Sequence, residues 1–94
     1  MNKRSEPIIF LVVAPSLSVF NSGILSMFKK EPNEVLTWKK SIGHAVVGNH
    51  KFIWIRKPED MRGFQGVKVI YWGDYLNMER IDEFKDLQHF VELP

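Results

Sequence analysis

The stretch S41-I-G-H-A-V-V-G-N-H-K-F-I-W-I-R56 decides how this chain folds. Two runs rich in β-branched and aromatic residues flank Gly48-Asn49. A Gly-Asn pair between such runs is a two-residue hairpin turn, because glycine supplies the positive φ that tight turns demand. The register that follows pairs Val47 with His50, Ala45 with Phe52 and Ile42 with Ile55. It places His44 and His50 on opposite faces. Upstream, V35-L-T-W-K-K-S41 reads as a further strand, with a short helical turn as the alternative.

Outward from the hairpin, I8-I-F-L-V-V-A14 is a continuous apolar run, the pattern of a strand covered on both faces. Pro15-Ser16 ends it. Leu17, Phe20, Ile24, Met27 and Phe28 then recur at helical spacing. Ser16 or Ser18 suits the helix start, and Lys29-Lys30 suit its negative end. Gly23 costs this helix up to about 1 kcal/mol relative to Ala, and Pro32 forces its stop. Residues 57–66 have the composition of a loop. V67-K-V-I-Y-W72 is a second buried strand, expected beside 8–14 and parallel to it. Asn77 is placed to cap a last helix that turns Ile81, Phe84, Leu87 and Val91 inward and acids 79, 82, 83 and 86 outward. The expected fold is α/β: a small mixed sheet of about four to five strands, with the hairpin at 42–56, packed with two helices. One domain spans 1–94, with a flexible, polar start at 1–7.

Composition bounds the chemistry. The 94 residues contain no cysteine. Disulfides, thiolate nucleophiles and cysteine-ligated metals are therefore excluded, and a cytoplasmic setting is expected. Lys3 and Arg4 before the apolar run imitate a secretory leader. Glu6-Pro7 interrupt the approach, the run ends at Ala14, and no A-x-A-like cleavage site follows. It is far short of the ~20 residues that span a bilayer, so no membrane partner is expected. Charge is uneven. Residues 1–57 hold nine Lys or Arg against three acids, and residues 58–94 hold four against eight. Such asymmetry marks an anionic partner or a head-to-tail self-contact, against solvated faces of two signs.

Gly43 and Gly48 have the spacing of a phosphate loop, but Asn49 and His50 follow where Lys and Ser or Thr are needed. G63-F-Q-G66 has the spacing of a KH-type clamp without its flanking helices. Of the three histidines, His44, His50 and His89, the first two lie six apart on opposite faces with no acid joining them locally, so no metal or other cofactor is expected. The serines sit as caps. Glu59-Asp60 and Asp82-Glu83 are carboxylate pairs that need a cleft to act as acid and base. Lys39, Lys40, Lys51, Arg56, Lys57 and Arg62 fall on neighbouring strands and loops, interleaved with Trp38, Phe52 and Trp54. That mixture suits nucleic acid held on a basic, aromatic sheet, against edge lysines that prevent aggregation and aromatics that belong to the core.

I8–F28, "IIFLVVAPSLSVFNSGILSMF", resembles the strand–helix step that follows the nucleotide loop in helicase and phage terminase P-loop ATPases, where an apolar strand ends in Ala-Pro-Thr or Ala-Pro-Ser. "GNHKFIWIRKPEDMRGFQGVKVIYWGDY", residues 48–75, resembles their later hairpin, strand, Arg-Gly and Walker B strand. The comparison runs from residue 8 to about 84. Arg62-Gly63 match. No nucleotide loop lies upstream. Of the two Walker B acids, the first falls on Gly73 and the second on Asp74, so the metal ligand is missing and the base is only approximated. The resemblance implies a motor core stripped of its ATPase.

The function expected from all this is a non-enzymatic accessory or binding protein, of the kind phages and mobile elements encode. It acts on a protein or nucleic-acid partner through its sheet and basic loops. The alternatives are a single-stranded nucleic-acid-binding module, a small enzyme using Asp74 with Glu59 or Asp60, and a homodimer joined through an open sheet edge.

Overall fold

Strand β1 (Ile8–Val13) lies inside the sheet, flanked by a strand on each side, because both of its faces are apolar. Leu11, Val12 and Val13 have no solvent exposure. The computed structural model, which describes residues 7–30 and 36–92, carries α1 (Leu17–Lys30), β2 (Leu36–Lys39), β3 (His44–Val47), β4 (His50–Ile55), β5 (Lys68–Tyr71) and α2 (Ile81–Val91). The sheet order is β2-β3-β4-β1-β5. β1 runs parallel to β4 and β5, whereas β2, β3 and β4 are antiparallel in sequence. This is the five-stranded mixed α/β sheet with two helices that the pattern predicts, with β1 and β5 side by side and parallel.

Alternation along β1 sends its side chains into two cores. Leu11 and Val13 join Ile55, Met61, Val69, Phe84 and Val91 under α2. Val12 and Ala14 join Phe20, Ile24, Ala45, Val47 and Phe52 under α1. Helix α1 starts where Ser16 Oγ accepts the Val19 N–H at 3.2 Å, the capping bond that serine offers. Its glycine has a packing reason. A Cβ on Gly23 would lie 2.4 Å from Trp72 Cε3, so the missing side chain seats the indole against the helix. Pro32 and Val35 lie outside the described residues.

The hairpin forms with Val47 opposite His50 and Ala45 opposite Phe52. Gly48 has φ 59° and Asn49 is not at positive φ, as a type II′ turn requires. Three expectations are corrected. Ile42 does not pair with Ile55. The Ile42 and Gly43 N–H groups turn back onto the Lys39 carbonyl, Ile42 is exposed, and Ile55 pairs with Val13. Segment 57–66 is not all loop. Pro58–Met61 form a 3-10 turn, and both its ends are buried. Asn77 does not cap α2. It ends a separate 3-10 turn, Tyr75–Asn77, and α2 begins after Arg80, which is left-handed at φ 62°. The Arg80 guanidinium bonds both Glu59 and Glu83.

The β5 edge is covered by the end of α2. Val67 N–H donates to the Val91 carbonyl and Val69 N–H to Glu92 Oε1, both at 3.1 Å. Gln88 holds that carboxylate and accepts from Tyr71 Oη. Burial, followed by the neighbouring Glu92, raises the Tyr71 pKa above its ordinary value. Occupying the edge amides in this way keeps a strand from adding there. No described helix is long and apolar enough to cross a membrane.

Candidate binding surfaces

The basic residues do not form one surface, and the pleat of the sheet explains why. Neighbours along a strand point to opposite faces. Trp38, Phe52 and Trp54 therefore pack toward α1, whereas Lys39 and Lys51, next to two of them in sequence, project from the other face. Trp38 Nε1–H donates to Asn21 Oδ1 at 3.0 Å, and Trp54 Nε1–H to the Ala14 carbonyl at 3.1 Å. These indoles are fixed to the helix side and offer no stacking platform among the lysines.

On that other face, α2 and the Pro58–Met61 turn cover β5, β1 and part of β4. The rest is bare. Alternation places Thr37, Lys39, His44, Val46 and Lys51 there, around a shallow depression of about 140 Å³. Register puts Lys39 beside His44, and Lys51 beside Val46. Among the described residues, no Asp or Glu lines this depression. Partial burial, then Lys51, then Lys39 lower the His44 pKa below its ordinary value. The sequence shows His44 only as one of three histidines; its place near two lysines follows from the pairing of β2 and β4 with β3.

The other candidates lie elsewhere. Lys40 sits on the α1 side, with Nζ 4.4 Å from the centroid of the Trp38 ring. Arg56 follows β4, and its guanidinium carbon is 5.9 Å from the Trp54 ring. Lys57 is exposed at the start of the 3-10 turn. Arg62 lines a groove beside Phe64, Leu87 and Phe90, under the end of α2.

Arg56 also helps line a cleft of about 460 Å³ with Pro15, Asp74, Asn77, Met78 and Glu79. This cleft lies beyond the carboxyl ends of β4, β1 and β5. The chain leaves β1 toward one side of the sheet and later crosses to β5 on the other. Such a reversal opens a crevice in α/β sheets. Asp74 accepts a bond from Asn77 Nδ2 at 2.6 Å. Glu79, and not Glu59 or Asp60, shares the cleft with it. Glu59 is held by Arg80, whose hydrogen bonds keep its carboxyl below the usual range. No group of three or more metal-ligating side chains occurs among the described residues.

A further concavity, of about 780 Å³, lies on the α1 face next to β5. Its floor is Phe10, Phe52, Ile70 and Trp72, and one wall is the Ser22–Gly23–Ser26 side of α1. Phe10 and Phe52 stack with centroids 5.3 Å apart. His50, on the opposite face from His44, tilts against Phe10 at 5.7 Å. Composition gave no sign of this groove, because its aromatics read as ordinary core.

No protein-family model, curated protein or solved structure matches the chain.

Proposed function

We propose that the protein is a non-enzymatic binding module that holds a nucleic-acid backbone on the bare half of its sheet. The observation that supports this is the convergence of Lys39, His44 and Lys51 around one depression that neither helix covers and that no acid lines among the described residues. Two lysines and an imidazole that gains charge beside phosphate form an electrostatic site. With the aromatics on the far face, base stacking contributes nothing, so single strands and duplexes bind alike. Affinity then falls in the range of non-specific contacts, with Kd about 10⁻⁴–10⁻⁶ M at physiological salt. On this reading any likeness to motor ATPase cores carries no catalysis, since Gly73 and Asp74 fall where the resemblance would put the two ATPase acids.

Fluorescence anisotropy with a labelled single strand and a labelled duplex tests it. Both bind at low salt and weaken as salt rises. Lys39→Glu with Lys51→Glu flattens the single-strand salt dependence by about 1.4 in slope, roughly 0.7 per lost phosphate contact. Arg62→Ala leaves it unchanged. Absence of binding at low salt sinks the proposal.

The histidine supplies a separate check. A His held below its unfolded pKa binds fewer protons folded than unfolded, so stability falls as pH drops below about 6.5 and levels off once His44 is charged in the fold. An anion between Lys39 and Lys51 opposes that loss. Urea denaturation of the free protein at pH 7 and pH 5 is expected to show the decline, and His44→Gln to reduce it. Nucleic-acid affinity moves the other way, tightening toward pH 5 in the wild type but not in the variant.

A further inference from the structure

The groove of about 780 Å³ between α1 and β5 lies where the sheet face has room for a second helix. Five strands at about 4.8 Å spacing make a face more than twice as wide as one helix, about 10 Å across. Helix α1 packs on the β1–β4 side of that face and leaves the β5 flank open. A second helix would lie 8–10 Å from α1. The flank of α1 that would meet it is small, formed by Ser22, Gly23 and Ser26, and the opposing floor is Phe10, Ile70 and Trp72.

Charge gives the occupant its sign. Among the described residues, no Asp or Glu lines the groove. Lys68 is opposite Phe10 and alternates onto the same face as Ile70. Lys29 and Lys30 end α1, just past the groove-lining Met27. Because α1 leaves the carboxyl end of β1 and runs back along the sheet, the topology places these three lysines outside the groove lining, toward the end of the sheet where His50 lies. The chain's own acidic helix cannot fill the groove from a second copy, because Phe84 and Val91 of α2 are buried in their own core.

We propose that this groove docks an amphipathic α-helix of a partner protein, one with an apolar stripe and acidic residues at the end that meets Lys29, Lys30 and Lys68. Helix-in-groove recognition of this kind reads anchors at i, i+3, i+4 and i+7. The site lies on the opposite face from Lys39 and Lys51, so the two can be occupied together.

The test uses three labelled synthetic peptides of about 18 residues, or five helical turns. One has a Leu stripe with Glu at one end, the second has the same stripe with Lys there, and the third has the stripe scrambled. The Glu-ended peptide is expected to bind with Kd below about 100 μM, and the Lys-ended one at least about tenfold more weakly. The scrambled peptide does not bind. Ser26→Trp, an exposed position, fills the groove and abolishes binding while the circular dichroism spectrum is kept. Lys30→Glu with Lys68→Glu reverses the preference between the two striped peptides. Equal binding of all three peptides, binding that survives Ser26→Trp, or no binding at millimolar peptide overturns the proposal.

Discussion

Phe84→Ala is expected to destabilise the fold by about 3–5 kcal/mol, the cost of emptying a fully buried aromatic site. Phe84 is 1% exposed and is the largest side chain that α2 contributes to the core shared with Leu11, Val13, Ile55, Met61 and Val69. A domain of this size has only about 5–15 kcal/mol of total stability. At about 4–8 °C per kcal/mol, Tm falls by at least roughly 12 °C. Thermal melts followed by circular dichroism measure it. A drop of only a few degrees would mean that α2 is not anchored as described. The consequence reaches function, because α2 leaves the Lys39–Lys51 face bare only if it stays over β1 and β5.

Gly43→Ala is expected to cost roughly 2–4 kcal/mol, combining left-handed strain with overpacking. Gly43 has φ 70°, and a Cβ there would lie 2.6 Å from the Trp54 Cβ and 3.2 Å from Leu17 Cδ1. The first neighbour is tied to the backbone and cannot swing away. The Gly43 carbonyl also accepts the Trp54 N–H at 2.8 Å, so local retreat would break the last hairpin bond. Gly63→Ala separates the two causes. Gly63 has φ 91° and nothing within 4 Å of its absent Cβ, so strain alone applies. Urea midpoints for both variants give the comparison. Equal losses would remove the steric part of the argument.

The strands were legible because their signals are local. A continuous apolar run marked β1 as covered on both faces, and Gly48-Asn49 fixed the hairpin register. That same register already held the answer on the basic surface. Trp38 precedes Lys39 and Lys51 precedes Phe52, so period-two alternation must separate the lysines from the aromatics. Reading them as one interleaved surface used proximity along the chain where the pleat decides. What the sequence did not reveal depends on long-range geometry. The crossover from β4 past β1 to β5 has no helix of its own, Pro58–Met61 serving in its place. The charged neighbours of Pro58 and Met61 hid a three-residue spacing that buries both. Arg80 gave no capping signal, because its left-handed turn is held by Glu59, twenty-one positions away. The groove beside β5 is defined by what does not cover it, which no local pattern records.

The most direct measurement on the central claim is a heteronuclear NMR titration of the labelled protein with a short single strand at low salt. The account predicts shift changes centred on the amides of Thr37, Lys39, His44, Val46 and Lys51, with Ser26 and Arg62 unmoved. Changes centred on Arg56, Lys57 and Arg62 instead, or no changes at all, would contradict it.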